Sequence, residues 1–432
     1  MTAEIAVFNK TGVALAADSA VTVNSGGFQK IYNGAEKLFA LTKHHPVGIM
    51  VYGTGSLCLV PWELIIKSYR KTLGSKSFST LDGYAEDFWR FLCESESLIP
   101  EDLRRSSLEG MFFQTTNFVA NRLERECSSY ADQNGSLPSL EVTLDILEQC
   151  CENVISELTV APFFNGFDVK SLEDLKVISK PFVDTILPQV FNIALPKEHI
   201  DKFAELFANV ACKQNQLGIN TGVVFAGYGE DEYFPVILAF KVQGFIEGKL
   251  RYAPIPPKSA AGGVSGVFAY AQEEEVLTFL HGVNPILKGR MNDIYRSAIN
   301  SHLEKLSELI DQLQIDHKDQ IKAQLLDELN RAWDGANTNI DLVIRDEHTD
   351  KVIRMIEFLC KEDLAYMAES LVNITAFKRK VSNDSETVGG PIDVAIISKG
   401  DGFIWSKRKH YFPQNLNHHY FNTFLKGEPD DR

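Results

Sequence analysis

The amino-acid sequence predicts an α+β fold in which two stacked antiparallel sheets lie between helical layers. Four short apolar runs with strand character fill the first fifty-odd residues, and four more follow between residues 218 and 270. Long stretches of helical periodicity separate and follow these two groups, and two closing strands come near the end of the chain. Because the links within each group are short and contain Gly, Asp or Glu, we expect antiparallel pairing.

The first group of strands begins directly after the second residue. Its members are predicted at residues 3–8, 13–22, 38–42 and 47–52. Gly12 turns the chain after the first strand and Gly53 ends the fourth, so the group is predicted to form a β-meander. Apolar periodicity then predicts helices over residues 57–72 and 78–95.

The rest of the chain alternates between helical and strand patterns. Helices are predicted at residues 110–127, 140–158, 172–190 and 197–213. Strands follow at residues 218–229, 234–243, 249–255 and 265–270. Residues 273–380 are helical again, with apolar spacing of three to four in 303–313, 321–333 and 351–377. A polar loop over residues 381–388 leads to the two closing strands.

Composition excludes several classes of protein. The 432 residues are 44% hydrophobic, which is enough for a sizeable core. A net charge of −15 argues against a general nucleic-acid binder, which needs a basic face. The absence of a leader pattern and of a long apolar run predicts a cytoplasmic protein. No Cys-x-x-Cys or His-x-x-x-His pattern occurs, so neither a metal site nor a cofactor is expected.

Thr2 combines a nucleophile and a base once Met1 is removed. A hydroxyl group needs an adjacent base to attack a carbonyl carbon. A free α-amine has an unperturbed pKa of about 7.7 to 8.0, so it can accept the hydroxyl proton directly or through a water molecule. The start of the first predicted strand is therefore a candidate catalytic site.

Further residues occur in an order that resembles a known family. Asp18 ends an Ala-Ala-Asp strand, Lys37 opens a Lys-Leu-Phe strand, and residues 389–395 read Gly-Gly-Pro-Ile-Asp-Val-Ala. Together with Thr2 and Gly53, this order resembles the N-terminal nucleophile (Ntn) hydrolases, specifically the proteasome β-subunits and their simpler bacterial relatives. The resemblance covers residues 2–72, 218–245 and 384–405. It implies an Ntn-hydrolase αββα sandwich, a peptide or amide substrate and a homo-oligomer, with an unfoldase partner by analogy alone.

The resemblance also divides the chain. The expected regions are a first half of the core (1–96), a helical insertion (97–215), second-sheet strands (216–280), a helical layer or insertion (281–380), and closing strands with a C-terminal tail (381–432).

Catalytic roles follow from the same resemblance. Thr2 is the nucleophile, Lys37 the cation that favours a neutral amine, and Asp18 the carboxylate partner of that lysine. Gly53 N–H is the expected oxyanion donor. Lys30, in a Lys-Ile-Tyr string, is the competing lysine. The remaining assignments are Asp384, Ser385 and Thr387 around the terminal amine, and Ser19 and Thr22 against the substrate.

The sequence departs from the family pattern at two points. Asp384, Ser385 and Thr387 stand one residue further upstream of the Gly-Gly pair than a gapless match allows. The family's Gly/Ser turn in the second sheet is missing. Peptidase activity would then need Gln272 or Glu273 to substitute for it; the alternatives are a site relaxed toward another amide and an inactive site. Three functions therefore stay open: a threonine peptidase, a non-proteolytic amidase or acylase, and a catalytically silent scaffold.

Overall fold

A computed structural model describes residues 2–25, 28–191, 195–256, 259–313, 317–382 and 388–419. The chain forms two compact units. The unit that we call terminal comprises Met1–Ala35, Gly262–Ser398 and Ile404–Arg432, and the central unit comprises Glu36–Ala261 and Lys399–Phe403. Asp384, Ser385 and Thr387 lie outside the described residues.

The described chain alternates between strands and helices. The strands are β1 (Ala3–Asn9), β2 (Gly12–Ala17), β3 (Val21–Ser25), β4 (Phe28–Tyr32), β5 (Leu38–Ala40), β6 (Val47–Gly53), β7 (Ser56–Leu57), β8 (Val60–Pro61), β9 (Thr221–Gly227), β10 (Val236–Ile246), β11 (Lys249–Pro254), β12 (Gly266–Ala271), β13 (Asp393–Ser398) and β14 (Gly402–Lys407). The α-helices are α1 (Trp62–Leu73), α2 (Leu81–Glu94), α3 (Glu101–Asn134), α4 (Leu140–Thr159), α5 (Val169–Val190), α6 (Lys197–Cys212), α7 (Glu274–His281), α8 (Pro285–Gln312), α9 (Lys318–Ile344), α10 (Asp350–Ile356) and α11 (Lys361–Val381). A π-helical turn spans Arg345–Thr349, and a 3-10 turn spans Gln414–Leu416.

The terminal unit is built around a sheet with the strand order β12-β1-β2-β13-β14. β1 pairs antiparallel with both β2 and β12, and every residue of β1 and β2 is buried. Because side chains alternate along a strand, Ala3, Ile5 and Val7 share one face. They pack against Leu364 and other apolar residues of α11, which recur every three to four positions.

The central unit contains a second sheet, with the order β11-β10-β9-β6-β5. Helices α1 and α2 present large apolar side chains to this sheet, and the Trp89 ring lies 5.5 Å from that of Phe225 in an edge-to-face arrangement. Helices α3 to α6 form a further cluster in which Phe112 stacks on Phe207 at 4.2 Å. The helical segment that the sequence predicted as an insertion therefore packs into one apolar cluster, which also includes Ile246 of β10 and Ala253 of β11.

Strand pairing differs from the predicted arrangement. The sequence predicted a meander of the first four strands and a separate sheet from residues 218–270. Instead, β1 pairs with β12 in the terminal unit, and β6 pairs with β9 in the central unit. The predicted strand 13–22 is also broken between β2 and β3. Pairing between segments more than 150 residues apart is set by tertiary packing, which local patterns do not encode.

The predicted helix 57–72 is correct only from Trp62 onward. Residues before it form the short β7–β8 ribbon, where Cys58 and Leu59 have φ of 47° and 67°. Positive φ is uncommon for residues other than glycine. Neither residue of this turn is a glycine, so the sequence gives no local indication of it. The resemblance predicted that the two sheets stack, and this stays a prediction. Within the described residues, no helix combines the length and apolar composition needed to cross a membrane.

Candidate functional site

Thr2 lies at the start of β1 and is 4% exposed. The antiparallel ladder between β1 and β12 sets its position, because Ala3 is opposite Ala271 and the Thr2 carbonyl oxygen accepts a hydrogen bond from Gln272 N–H at 3.2 Å. Ala271 has φ of 68°, so β12 turns away immediately after this contact. The backbone of Thr2 is thus fixed by the sheet.

Asp18 follows β2 and contacts Thr2 directly. The β1–β2 register pairs Glu4 with Ala17, and the next residue, Asp18, donates its N–H to the Ala3 carbonyl oxygen at 3.2 Å, which places its side chain within reach of Thr2. Thr2 Oγ1 donates a hydrogen bond to Asp18 Oδ1 at 2.8 Å, and Ala3 N–H donates to the same oxygen at 3.1 Å. The Asp18 side chain is 1% exposed. The hydroxyl of the candidate nucleophile therefore has a buried hydrogen-bond acceptor.

The second carboxylate oxygen of Asp18 is held by two further segments. Ala20 N–H donates to Oδ2 at 3.2 Å, and Gly389 N–H donates to it at 3.0 Å. Hydrogen bonds from backbone N–H groups to an ionised acceptor are about twice as strong as those between neutral groups. Asp18 thus joins the end of β2 to the Gly389–Gly390 step.

Ser19 joins the same two segments. Its N–H donates to the Gly389 carbonyl oxygen at 3.1 Å, and its hydroxyl donates to the Pro391 carbonyl oxygen. Gly390 has φ of 76°, and a Cβ atom there would lie 2.9 Å from Asn33 Cβ, so the position requires glycine. The predicted substrate contact of Ser19 stays a prediction.

Thr22 and Lys30 lie on the β3–β4 ribbon of the terminal unit. Thr22 pairs with Ile31, and its Oγ1 atom is buried without a hydrogen-bond partner in the described chain. Lys30 is exposed. An unsatisfied hydroxyl can accept or donate a hydrogen bond to a bound molecule, as the predicted role of Thr22 requires.

Lys37 and Gly53 belong to the central unit. Lys37 precedes β5, is 6% exposed, and its carbonyl oxygen accepts a hydrogen bond from Val51 N–H at 2.9 Å. Gly53 ends β6 with φ of 86°, and a Cβ atom there would lie 2.6 Å from the Asn220 carbonyl oxygen. Glycine is therefore required at this strand end for structural reasons. The predicted Asp18–Lys37 pair and the Gly53 oxyanion donor stay predictions.

Two further buried carboxylates lie in register with the end of β2, and the sequence analysis did not assign them. Ala17 is paired with Glu4 on one side and with Asp393 on the other, so these three side chains share a face of the sheet. Glu4 is fully buried, and Asp393 accepts hydrogen bonds from both the backbone N–H and the side chain of Lys409. A charged residue in the otherwise apolar β1 was the available signal for Glu4.

Gln272, a candidate substitute for the missing Gly/Ser turn, has a partner from a distant helix. Its Oε1 atom accepts a hydrogen bond from the Arg379 guanidinium, in the last turn of α11. No local signal in the sequence connects these residues, which are 107 positions apart. Among the described residues, no group of His, Cys, Asp and Glu side chains is arranged to hold a metal ion.

The described chain is thus an α+β protein with antiparallel sheets, helical layers and a buried Thr–Asp pair at the start of its first strand. No protein-family model matches the chain, and no curated protein matches it in sequence. Among solved structures, it is similar to a Gly-1 mutant of Anbu from Hyphomicrobium sp. strain MC1, with a TM-score of 0.29 and 10% identity over 100% of both chains. A TM-score this low does not show a shared family or a shared activity.

Proposed function

We propose that the protein is a proteasome-like N-terminal threonine hydrolase that cleaves peptide or amide bonds through Thr2. The observation that carries the proposal is the buried hydrogen bond of 2.8 Å from Thr2 Oγ1 to Asp18 Oδ1. It holds the hydroxyl oxygen in a fixed position at the strand end, from which it can attack a bound carbonyl carbon once the α-amine of the same residue is free.

The reaction begins with removal of Met1. The Thr2 α-amine takes the hydroxyl proton as Oγ1 attacks the substrate carbonyl carbon, giving a tetrahedral oxyanion. Collapse breaks the C–N bond, the leaving amine takes the proton from the ammonium, and an ester to Thr2 remains. Water, deprotonated by the same amine, hydrolyses that ester and restores the hydroxyl. In this proposal, Gly53 N–H binds the oxyanion.

The proposed site needs a cation because one buried carboxylate contacts the nucleophile and a second lies on the same strand. Asp18 contacts Thr2, and Glu4 is buried on the same strand two residues later. Negative charge favours the protonated ammonium, which cannot act as a base. We assign the opposing cation to Lys37, whose burial at 6% exposure supports it over the exposed Lys30.

Two sets of residues complete the proposed site. Thr22, with an Oγ1 atom that has no partner in the described chain, is assigned to the backbone of an extended substrate, next to Ser19.

Asp384, Ser385 and Thr387 are assigned to the terminal amine on the resemblance alone. Replacing them one at a time by alanine tests that assignment, because each variant should slow acylation of Thr2 and leave the removal of Met1 unchanged.

Intact mass spectrometry tests the proposal. The purified protein is treated with a peptide epoxyketone, which requires both the hydroxyl and the free amine of an N-terminal threonine. We expect loss of Met1 and one adduct per chain in the natural protein, the same adduct in Thr2→Ser, and none in Thr2→Ala. Thr2→Ser is the matched control because it keeps the hydroxyl and the amine.

Two results would contradict the proposal. Retention of Met1 would block the α-amine of Thr2. The catalytically silent scaffold would then be the function that remains. If the Thr2→Ala variant without Met1 reacts as fully as the natural protein, the nucleophile is another residue. A trimmed chain that forms no adduct with the epoxyketone but reacts with a small β-lactone only when Thr2 is present would favour the narrow amidase site.

A further inference from the structure

Helices α8 and α9 expose a large apolar surface. Over their described lengths of 28 and 27 residues, neither contains a buried residue. The two helices run antiparallel, because Lys288 near the start of α8 pairs with Asp341 near the end of α9, and Lys322 pairs with Asp311 at the opposite ends at 2.7 Å. Helical stability in proteins comes mainly from packing of an apolar face, so this hairpin lacks the packing that its length requires.

Helix α8 carries two adjacent sets of apolar residues. Half-buried residues such as Ile299, Leu303 and Ile310 recur at three-to-four spacing and form the side that packs against α9. A second set of apolar residues lies within an arc of about 120° beside that side, at 100° per residue. We call this set the α8 stripe: Leu287, Met291, Ile294, Tyr295, Leu306 and Leu309, which are 42–67% exposed.

The size of the α8 stripe suits a protein interface. Six large side chains that are about half exposed leave on the order of 500 Å² of apolar surface, which is within the range of about 300–600 Å² for the largest apolar patch of a monomer, and such patches often have a function. Two such surfaces would bury about 1,000 Å² in total, the lower bound for a specific interface. The area therefore fits a moderate, concentration-dependent association.

The charges beside the stripe identify the partner. At 100° per residue, Arg290 near the N-terminus of α8 and Glu308 near its C-terminus lie on the same flank of the stripe, about 40° from its edge. Arg296 in the N-terminal half and Glu304 in the C-terminal half lie about 80° from the stripe, on opposite sides of it. None of these four side chains has an ion-pair partner within the described chain, unlike Lys288 and Asp311 of the same helix. Asp293 and Lys305 reduce the charge of each half and leave its sign unchanged. One helix is thus basic at one end and acidic at the other.

We propose that the α8 stripe binds the α8 stripe of a second copy of this chain, antiparallel and about a two-fold axis. A two-fold axis places the basic half of each helix against the acidic half of its partner, so the surface is complementary to itself. A parallel arrangement would place like charges together. This dimer contact is independent of Thr2 chemistry.

Sedimentation velocity with charge-reversal variants tests the contact. The natural protein should sediment as a dimer of 48.4 kDa chains at high concentration and dissociate on dilution. Arg290→Glu with Arg296→Glu makes both halves acidic and should weaken dimerisation at least about tenfold, or 1.4 kcal/mol. Adding Glu304→Lys and Glu308→Lys reverses both halves and should restore the dimer.

A second pair of variants tests the apolar component. Ile294→Ser with Leu309→Ser should weaken the dimer, whereas Val160→Ser, an exposed apolar residue in the central unit, should not. Because all these positions are exposed, we expect unchanged thermal unfolding. A protein that stays monomeric at about 100 μM, a concentration well above the Kd of a micromolar association, would overturn the proposal. A dimer that survives the first charge reversal, or one that the second reversal does not restore, would also overturn it.

Discussion

Gly389 N–H donates a hydrogen bond of 3.0 Å to Asp18 Oδ2, across 371 residues of sequence. The other oxygen of the same carboxylate accepts a hydrogen bond from the Thr2 hydroxyl. Asp18 therefore has a structural role and a proposed catalytic one, because it holds the Gly389–Gly390 step and the nucleophile together. Substitutions around it should separate these roles.

Asp18→Asn should destabilise the protein. An amide has one acceptor oxygen, so its NH2 group would face backbone N–H donors that the carboxylate now satisfies, and each unsatisfied buried donor costs about 1–3 kcal/mol. Urea unfolding measures the change. Asp132→Asn, at an exposed site on α3, is the control and should change stability by less than about 0.5 kcal/mol. Equal unfolding midpoints for Asp18→Asn and the natural protein would contradict the structural role.

Gly390→Ala tests the backbone at the same step. A residue with φ of 76° costs roughly 1–2 kcal/mol when it carries a Cβ atom, and this Cβ would also approach Asn33 Cβ to 2.9 Å. We expect a loss of about 1–3 kcal/mol in the free energy of unfolding. Gly110→Ala is the matched control, because a Cβ there meets nothing within 4 Å and alanine favours helix α3. A stabilised Gly390→Ala would be inconsistent with this geometry.

The sequence predicted individual elements better than their partners. The bounds of β6 and α4 are close to the predicted ones because each has a strong local period and a defined end, such as the Ser139 cap of α4. The pairing of β1 with β12 was missed because it joins segments more than 250 residues apart. Likewise, Thr2 and Asp18 were predicted as site residues, but their direct hydrogen bond and the Gly389 donor depend on sheet register.

Arg251 in the central unit should couple strongly to Gln243. The guanidinium is 1% exposed, and burial lowers its pKa to about 10. Its two Nη atoms donate to the side chain and the carbonyl oxygen of Gln243 at 3.1 and 2.8 Å, and no carboxylate in the described chain pairs with it. Gln243→Leu should cost about 1.5–3 kcal/mol, since it leaves a buried charged donor unsatisfied.

A double-mutant cycle measures this coupling. In an Arg251→Met background the charged donor is gone, so Gln243→Leu should cost less by at least about 1 kcal/mol. Part of the cost will persist, because Gln243 also donates to the Asn215 carbonyl oxygen at 3.0 Å. Additive effects of the two substitutions would show that the Arg251–Gln243 contact does not contribute to stability.

Asp87 should make the central unit sensitive to acid. Burial raises the pKa of this carboxyl group, but hydrogen bonds from Lys76, Arg90 and Tyr69 outweigh burial and hold the pKa below its usual value. A carboxyl group whose pKa is lower in the folded state stabilises that state above the pKa of the unfolded chain, and the stabilisation is lost as the pH falls through the folded value. The window therefore lies below about pH 4.

Urea unfolding of Asp87→Asn at two pH values isolates this effect. At pH 7 the variant should be less stable than the natural protein by on the order of 1 kcal/mol, a value limited by solvent at the exposed Lys76 and Arg90. Near pH 3 the difference should shrink, because the natural carboxyl group becomes protonated as well. Glu86→Gln, one residue earlier and exposed, should show no such convergence. A difference that stays constant with pH would assign the loss at Asp87 to packing, because the carboxylate charge would then contribute nothing.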